Sequence, residues 1–181
     1  VVRALRSVLA LLGERMRGVA LTLTLRDATV APAQDAPLDL AGDYPELVAR
    51  CEDLRLEQVL INLLGNALDA VGGAAAAAVV AAPAIDVTLV VSAATLSIEV
   101  RDNGPGIAPD LLPRLFEPFF TTKEMGRGLG LGLAISSSIA SDAGGALTAR
   151  NAPDGGALFV LTLRRARTHH PDAASEPIGS R

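Results

Sequence analysis

Apolar residues in the first stretch of the chain fall at Leu5, Val8, Leu9, Leu12 and Met16, three or four positions apart, which predicts an amphipathic helix closed at Gly18. The period then drops to two. In ALTLTL, Leu21, Leu23 and Leu25 alternate with small partners, the pattern of a strand with one buried face. Residues 27–45 are rich in Pro and Asp and read as a loop, followed by LVAR as a short strand. Asp53 is placed to cap a second helix, LRLEQVLINLLGNALDAV, which Gly72 and Gly73 would close.

Residues 73–83 are nearly all alanine and read as a helical extension or an insertion without polar chemistry. IDVTLVVS and TLSIEVRD flank Ala93 and Ala94 as two antiparallel strands, the second placing Leu96, Ile98 and Val100 on one face. After the loop NGPGIAP, Pro109 opens a short helix ending near Phe116, and a glycine-rich stretch leads into a third long helix, LGLAISSSIASDA, closed by Gly144 and Gly145. The strands ALTARN and ALFVLTL are joined by the turn APDGG. Such an order predicts a two-layer α/β sandwich, in which three helices cover one face of a mixed, mostly antiparallel sheet of five or six strands. One domain over residues 1–164 is expected, with a disordered tail over 165–181 that has almost no apolar content.

Charge narrows the function classes. With a net charge of −4 and an isoelectric point near 5.1, the surface is not built for nucleic acid, so any basic site must be local. Cys51 is the only cysteine, which rules out an intrachain disulfide and suits a buried structural thiol. The most apolar run, residues 74–82, is far shorter than the roughly 20 residues of a membrane span, so no membrane contact by this segment is expected. The chain opens VVRALRS without an initiator methionine, which leaves open whether it is a piece of a longer protein.

Three constellations carry candidate chemistry. Gln58, Asn62, Asn66 and Asp69 are spaced four, four and three apart, which lines them along one face of an otherwise apolar helix. A solvated stripe is the plain reading, although Gly65 within it suggests that another group approaches closely. Next, DNGPGI follows a strand directly, so that Asp102 supplies a fixed acceptor at the strand end while Gly104 and Gly106 let the backbone turn with its N–H groups exposed. Alone, it could be only a turn. Finally, TTKEMGRGLGLGLAI carries glycines at 126, 128, 130 and 132 before a helix, together with Lys123, the only lysine of the chain, and Arg127. Free N–H groups and a helix dipole suit an anion there, yet a flexible linker has the same composition and the spacing is not that of a P-loop. In this order the three describe a nucleotide site.

The motifs resemble those of the catalytic ATP-binding domain of bacterial sensor histidine kinases. INLLGNALDA is similar to the family's N box, DNGPGI to its first glycine box, FEPFFTTK to its F box and GRGLGLGLA to its second glycine box, across about residues 1–164. The resemblance implies a Bergerat-type fold, shared with gyrase, the Hsp90 chaperone and MutL-type ATPases, and the cofactors ATP and Mg²⁺. By motif, Asn66 would ligate Mg²⁺ with Asn62 assisting, and Asp102 would accept from the adenine amino group. Gly104, Gly106, Ile107, Gly128, Leu129, Gly130, Leu131 and Gly132 would approach adenine and phosphates. Lys123, in a lid expected over residues 117–128, would contact phosphate. Asn66 and Lys123 are thus the catalytic candidates.

The same resemblance implies the partners: a histidine-bearing helical dimerisation domain of the same kinase and the receiver domain of a response regulator. It also implies a place at the cytoplasmic face of the bacterial inner membrane, as the soluble part of an anchored sensor. GLGLGLAISSSIA and NAPDGGALFVLTL look most like the subgroup that senses C4-dicarboxylates. Departures from the pattern are Leu129, where many members carry threonine, the alanine-rich insertion and the long loop before residue 47. The only histidines are His169 and His170, in the tail, so the acceptor lies elsewhere. Competing readings are a hydrolytic ATPase, an anti-sigma-type serine kinase and a non-catalytic nucleotide-binding module. Hydrolytic relatives place a glutamate four residues before the metal-binding asparagine, where this chain has Asn62, which favours transfer over hydrolysis.

Overall fold

The computed structural model describes residues 1–76, 82–123 and 129–166. Ten elements follow one another: α1 (Val2–Leu11), β1 (Ala20–Asp27), β2 (Gln34–Pro37), α2 (Asp53–Ala76), β3 (Ala84–Val91), β4 (Thr95–Asp102), a 3-10 turn (Leu112–Arg114), α3 (Gly132–Asp142), β5 (Ala146–Asn151) and β6 (Ala157–Arg164). The strands form one six-stranded sheet in the order β2-β1-β3-β4-β6-β5. Only β1 and β3 run parallel, and every other neighbouring pair is antiparallel. The expected two-layer sandwich is therefore present, with three α-helices on one sheet face.

Strict alternation in β3 and β4 sets that face. Ile85, Val87, Leu89 and Val91 point into the layer between sheet and helices, as do Leu96, Ile98 and Val100. Helix α2 lies across β3 and β4 and contributes Leu56, Val59, Leu60, Leu63, Leu64 and Val71 to the same core, while α1 and α3 flank it. Period two has a chemical consequence at the end of β4: Asp102 continues the buried phase of Leu96, Ile98 and Val100, so a carboxylate is carried beneath the helices.

Several elements differ from expectation. Helix α1 ends at Leu11, ahead of Gly13, and turns carry the chain to Gly18, whose φ of +79° redirects it into β1. Helix α2 runs through Gly72 and Gly73 as far as Ala76, because the alanines beyond them favour helix enough to outweigh two glycines. Within the loop expected over 27–45 lies β2, an exposed edge strand without hydrophobic periodicity; its register is held by Arg26, which pairs with both carboxylate oxygens of Asp35 at 2.7 and 2.8 Å. LVAR makes only a single bridge, Ala49 to Arg165. The short helix after Pro109 is reduced to one 3-10 turn, since Pro113 lacks the N–H that an α-helix would use. Backbone pairing continues past the expected domain end, Arg165 donating to Ala94 and Ala166 to Val48; the remaining tail, 167–181, lies outside the described residues.

Candidate functional site

Two adjoining cavities open between α2, the start of α3 and the segments that follow β4. The larger, about 520 Å³, runs from Asp102, Gly106 and Ile107 past Ala157 and Phe159 to Phe120, Lys123 and residues 129–133. The smaller, about 350 Å³, is lined by Arg15, Gln58, Ile61, Gly65, Ile135 and Ser136. Asn62, Asn66, Asp69, Lys123 and Gly132 line both, so the polar stripe of α2 forms their common wall. Sequence reasoning brought Gln58, Asn62, Asn66 and Asp69 onto one face, and that face is turned into the cavities.

At the inner end of the larger cavity sits Asp102, 3% exposed. Its Oδ1 accepts from the Gly104 N–H at 2.8 Å and the Ala157 N–H at 3.3 Å. Oδ2 has no hydrogen-bond partner among the described residues and is not sealed from the cavity. Burial pushes the carboxyl above the ordinary aspartate value of 3.8, against the opposing pull of the two backbone donors. The turn beyond it is fixed by two asparagines. Asn103 accepts from Ala84 N–H and donates to Ala82 O, while Asn151 accepts from Ile107 N–H and donates to Ile107 O, both at 2.7 Å. Ile107 is thus held on the cavity rim by Asn151, a side chain of β5, whereas Gly104 is held by Asp102 and does not itself line either cavity.

At the other end, Lys123 Nζ donates to Asp69 Oδ2 at 2.6 Å and to Asn66 Oδ1 at 3.2 Å. Asp69 Oδ1 accepts from Arg15 at 2.6 Å, so one carboxylate joins two cations. Asn62 is engaged differently: its Nδ2 donates to Ser136 Oγ on α3 at 3.1 Å, and its Oδ1 packs against the Cα of Gly132, where any side chain would collide with it. Gly130 adopts φ +68° and lies so close to Phe119 and Phe120 that a Cβ would come within 2.5–2.8 Å of their backbones. The Phe119 N–H donates to Gly130 O at 3.0 Å, which joins the F-box segment to the start of α3, and Arg114 stacks over the Phe120 ring at 4.6 Å. Gly128, one of the expected contact residues, lies in 124–128, outside the described residues, as does most of the second half of the expected lid. A Cβ at Gly65 would meet only the Arg15 guanidinium, at 3.7 Å, an ordinary contact that a methyl group tolerates.

A cavity with a buried acceptor at one end, the Lys123 ammonium at the other and an uncapped helix N-terminus along its side is suited to a nucleotide: base inward, phosphates outward. Residues 51–167 match the family described as histidine kinase-, DNA gyrase B-, and HSP90-like ATPase. The chain belongs to that family. Within these ATPases it corresponds to the catalytic ATP-binding domain of sensor histidine kinases. It is 46% identical over 129 residues to the C4-dicarboxylate transport sensor protein DctB of Rhizobium meliloti, covering 71% of this chain and 19% of that protein. It is 40% identical over 162 residues to the two-component sensor PprA of Pseudomonas aeruginosa, covering 88% of this chain and 16% of that one. The catalytic domain of histidine kinase ThkA superposes with a TM-score of 0.65 at 25% identity, covering 90% of this chain and 92% of that domain. The chain therefore spans less than a fifth of the length of these two sensors, and the subgroup expected from its motifs is represented among them.

Sequence reasoning missed Arg15, Ser136 and Asn151. Ser136 is 1% exposed and occupies a run of three serines, none distinguishable by pattern; Arg15 and Asn151 act through partners 54 and 44 positions away.

Proposed function

We propose that this ATPase-family domain binds ATP with Mg²⁺ and delivers the γ-phosphoryl group to a histidine on a separate helical dimerisation domain, from which a response-regulator receiver domain takes it. The observation that carries the reading is the polarity of the larger cavity, with Asp102 buried at its inner end and the Asn66–Lys123 contact at its outer end. On this reading Asp102 Oδ2 accepts from the adenine amino group. Gly104, Gly106, Ile107, Leu129 and Leu131 border the base and ribose, while Gly128, Gly130, Gly132 and the first turn of α3 offer backbone N–H groups to the phosphates.

A cation already lies against Asn66 Oδ1 in the form of the Lys123 ammonium, which is the donor geometry expected where a positive charge is to be held. Among the described residues no cluster of three or more His, Cys, Asp or Glu side chains forms, so a hard, oxygen-seeking ion would take Asn66 and complete its shell from phosphates and water. Asn62 assists from one turn away by fixing α3 against α2. When bound, Mg²⁺ would supply neutralisation of phosphoryl charge. An amide at position 62 cannot deprotonate a water, whereas an acceptor imidazole brings its own lone pair, and this supports transfer over hydrolysis.

The names of DctB and PprA support a role in a sensor, and we place this domain at the cytoplasmic face of the membrane as the soluble part of an anchored protein. None of the helices among the described residues is long and apolar enough to cross a membrane. Labelled ATP with the cognate dimerisation domain tests the activity: the acceptor should gain an acid-labile, alkali-stable phosphoryl group, and the 181-residue chain alone should gain none. Strong self-labelling, or an acid-stable ester on the partner, would overturn it.

A further inference from the structure

Three charged side chains from distant parts of the chain converge on the outer end of the polar stripe. Asp69 on α2 accepts from Arg15 on one oxygen and from Lys123 on the other, each at 2.6 Å, and the same ammonium reaches Asn66 Oδ1 at 3.2 Å. Arg15 comes from the turns after α1, and Lys123 is the last residue of the F-box segment. The pairs are 37–50% exposed, so little net stability is expected from them, and fixing a lysine side chain loses rotamer entropy. What the arrangement does achieve is position: it puts an ammonium group on the oxygen assigned above to the metal.

We propose that Asp69, braced by Arg15, is a positioning residue that parks Lys123 in the place of Mg²⁺, so that arrival of the metal with its nucleotide and release of the lysine toward the phosphates are one coupled event. The inference rests on the reading of Asn66 as a metal ligand. Mg²⁺ needs about 2.0–2.1 Å to its ligand oxygen, and an ammonium donating to the same oxygen would stand beside it as a second positive centre. The two are therefore alternative partners of Asn66 Oδ1. Arg15 occupies Asp69 Oδ1, which leaves Asp69 only one oxygen to offer and keeps its charge compensated, so the stripe does not become a strong divalent site without phosphates. Once nucleotide brings the metal, repulsion and the new phosphate charge both act on the lysine in the same direction, off Asn66 and onto the substrate.

Because Lys123 is the only lysine, a chain grown with isotope-labelled lysine gives a single side-chain ammonium signal that reports on this contact alone. In the free chain the signal should be displaced from that of free lysine. Asp69→Asn and Asp69→Ser should each bring it to the free-lysine position and raise the rate of trinitrobenzenesulfonate labelling at Lys123 at least threefold. ADP with Mg²⁺ should move the signal, and ADP with a chelator should leave it. A signal that ignores both Asp69 substitutions, or that moves equally with and without Mg²⁺, overturns the proposal. Calorimetry of ADP on the same samples separates the two readings: retained ADP binding with an unmoved lysine sinks the coupling alone, whereas no ADP binding by the unaltered chain sinks the nucleotide assignment beneath it.

Discussion

Asn62 donates its side-chain amide to Ser136 Oγ across 3.1 Å, and this bond ties α2 to α3 at the wall shared by both cavities. Ser136 is 1% exposed and Asn62 half-buried, so neither loses its partner to water easily. Ser136→Ala leaves the amide donor without its acceptor and should lower stability by about 1 kcal/mol, even though alanine favours the helix. Urea unfolding reads the change. An unaltered midpoint would mean that the bond contributes nothing to holding the two helices together.

Asp102 links stability and recognition with opposite signs. Its carboxyl is raised by burial, so protonation favours the folded chain: the stabilising contribution of the protonated form is complete below 3.8 and is lost as pH rises through the raised folded value. At neutral pH the charged side chain is therefore a burden that Asp102→Asn removes, while the amide oxygen still accepts from Gly104 and Ala157. The variant should be as stable as the parent or more so at pH 7, with the advantage shrinking on acidification. ATP binding should fall at least tenfold, because an amide NH₂ now faces the adenine amino group. Thermal unfolding across pH, paired with calorimetry, tests both; equal ATP affinity would count against the adenine role.

The helices and five of the six strands were legible because burial of one face writes a period into the sequence. Edge strand β2 was not, since all four of its residues are exposed and its register depends on the Arg26–Asp35 pair, which no period records. The site divides in the same way. Asn62, Asn66 and Asp69 could be grouped because helical spacing is local, and Asp102 because it ends a strand in the buried phase. Arg15, Ser136 and Asn151 reach their partners across 54, 74 and 44 residues, distances at which only the fold decides who meets whom.

Glycines at 65 and 130 should answer a methyl group in opposite ways. Gly65 lies inside α2, where an added Cβ would meet only the Arg15 guanidinium at 3.7 Å, so Gly65→Ala should stabilise by about 0.5–1 kcal/mol. Gly130 has φ +68° and would bring a Cβ within 2.5–2.8 Å of the Phe119 and Phe120 backbones. Gly130→Ala should therefore destabilise by about 1–3 kcal/mol, and ATP binding should weaken with it as the F-box segment and α3 are forced apart. Thermal denaturation of the two variants checks the signs. A stabilising Gly130→Ala would show that the close approach of Phe119 is not required.

Asn66 and Lys123 share a hydrogen bond, yet their substitutions should separate binding from transfer. If Asn66 ligates the metal, Asn66→Ala removes affinity that depends on Mg²⁺: ATP binding should weaken at least tenfold with Mg²⁺ present and change little in a chelator, where the amide has no metal to hold. Lys123 is a mobile point charge, and its value depends on when it meets the phosphates. If it stabilises charge on the moving phosphoryl group, Lys123→Ala lowers the rate of transfer to a supplied acceptor domain far more than it lowers ATP affinity. If it only anchors the ground state, both fall alike. Calorimetry with and without Mg²⁺, together with single-turnover transfer from labelled ATP, distinguishes these cases. An Asn66→Ala chain that keeps its full Mg²⁺ dependence would remove the metal from α2 altogether, and with it the reason for a lysine to stand there.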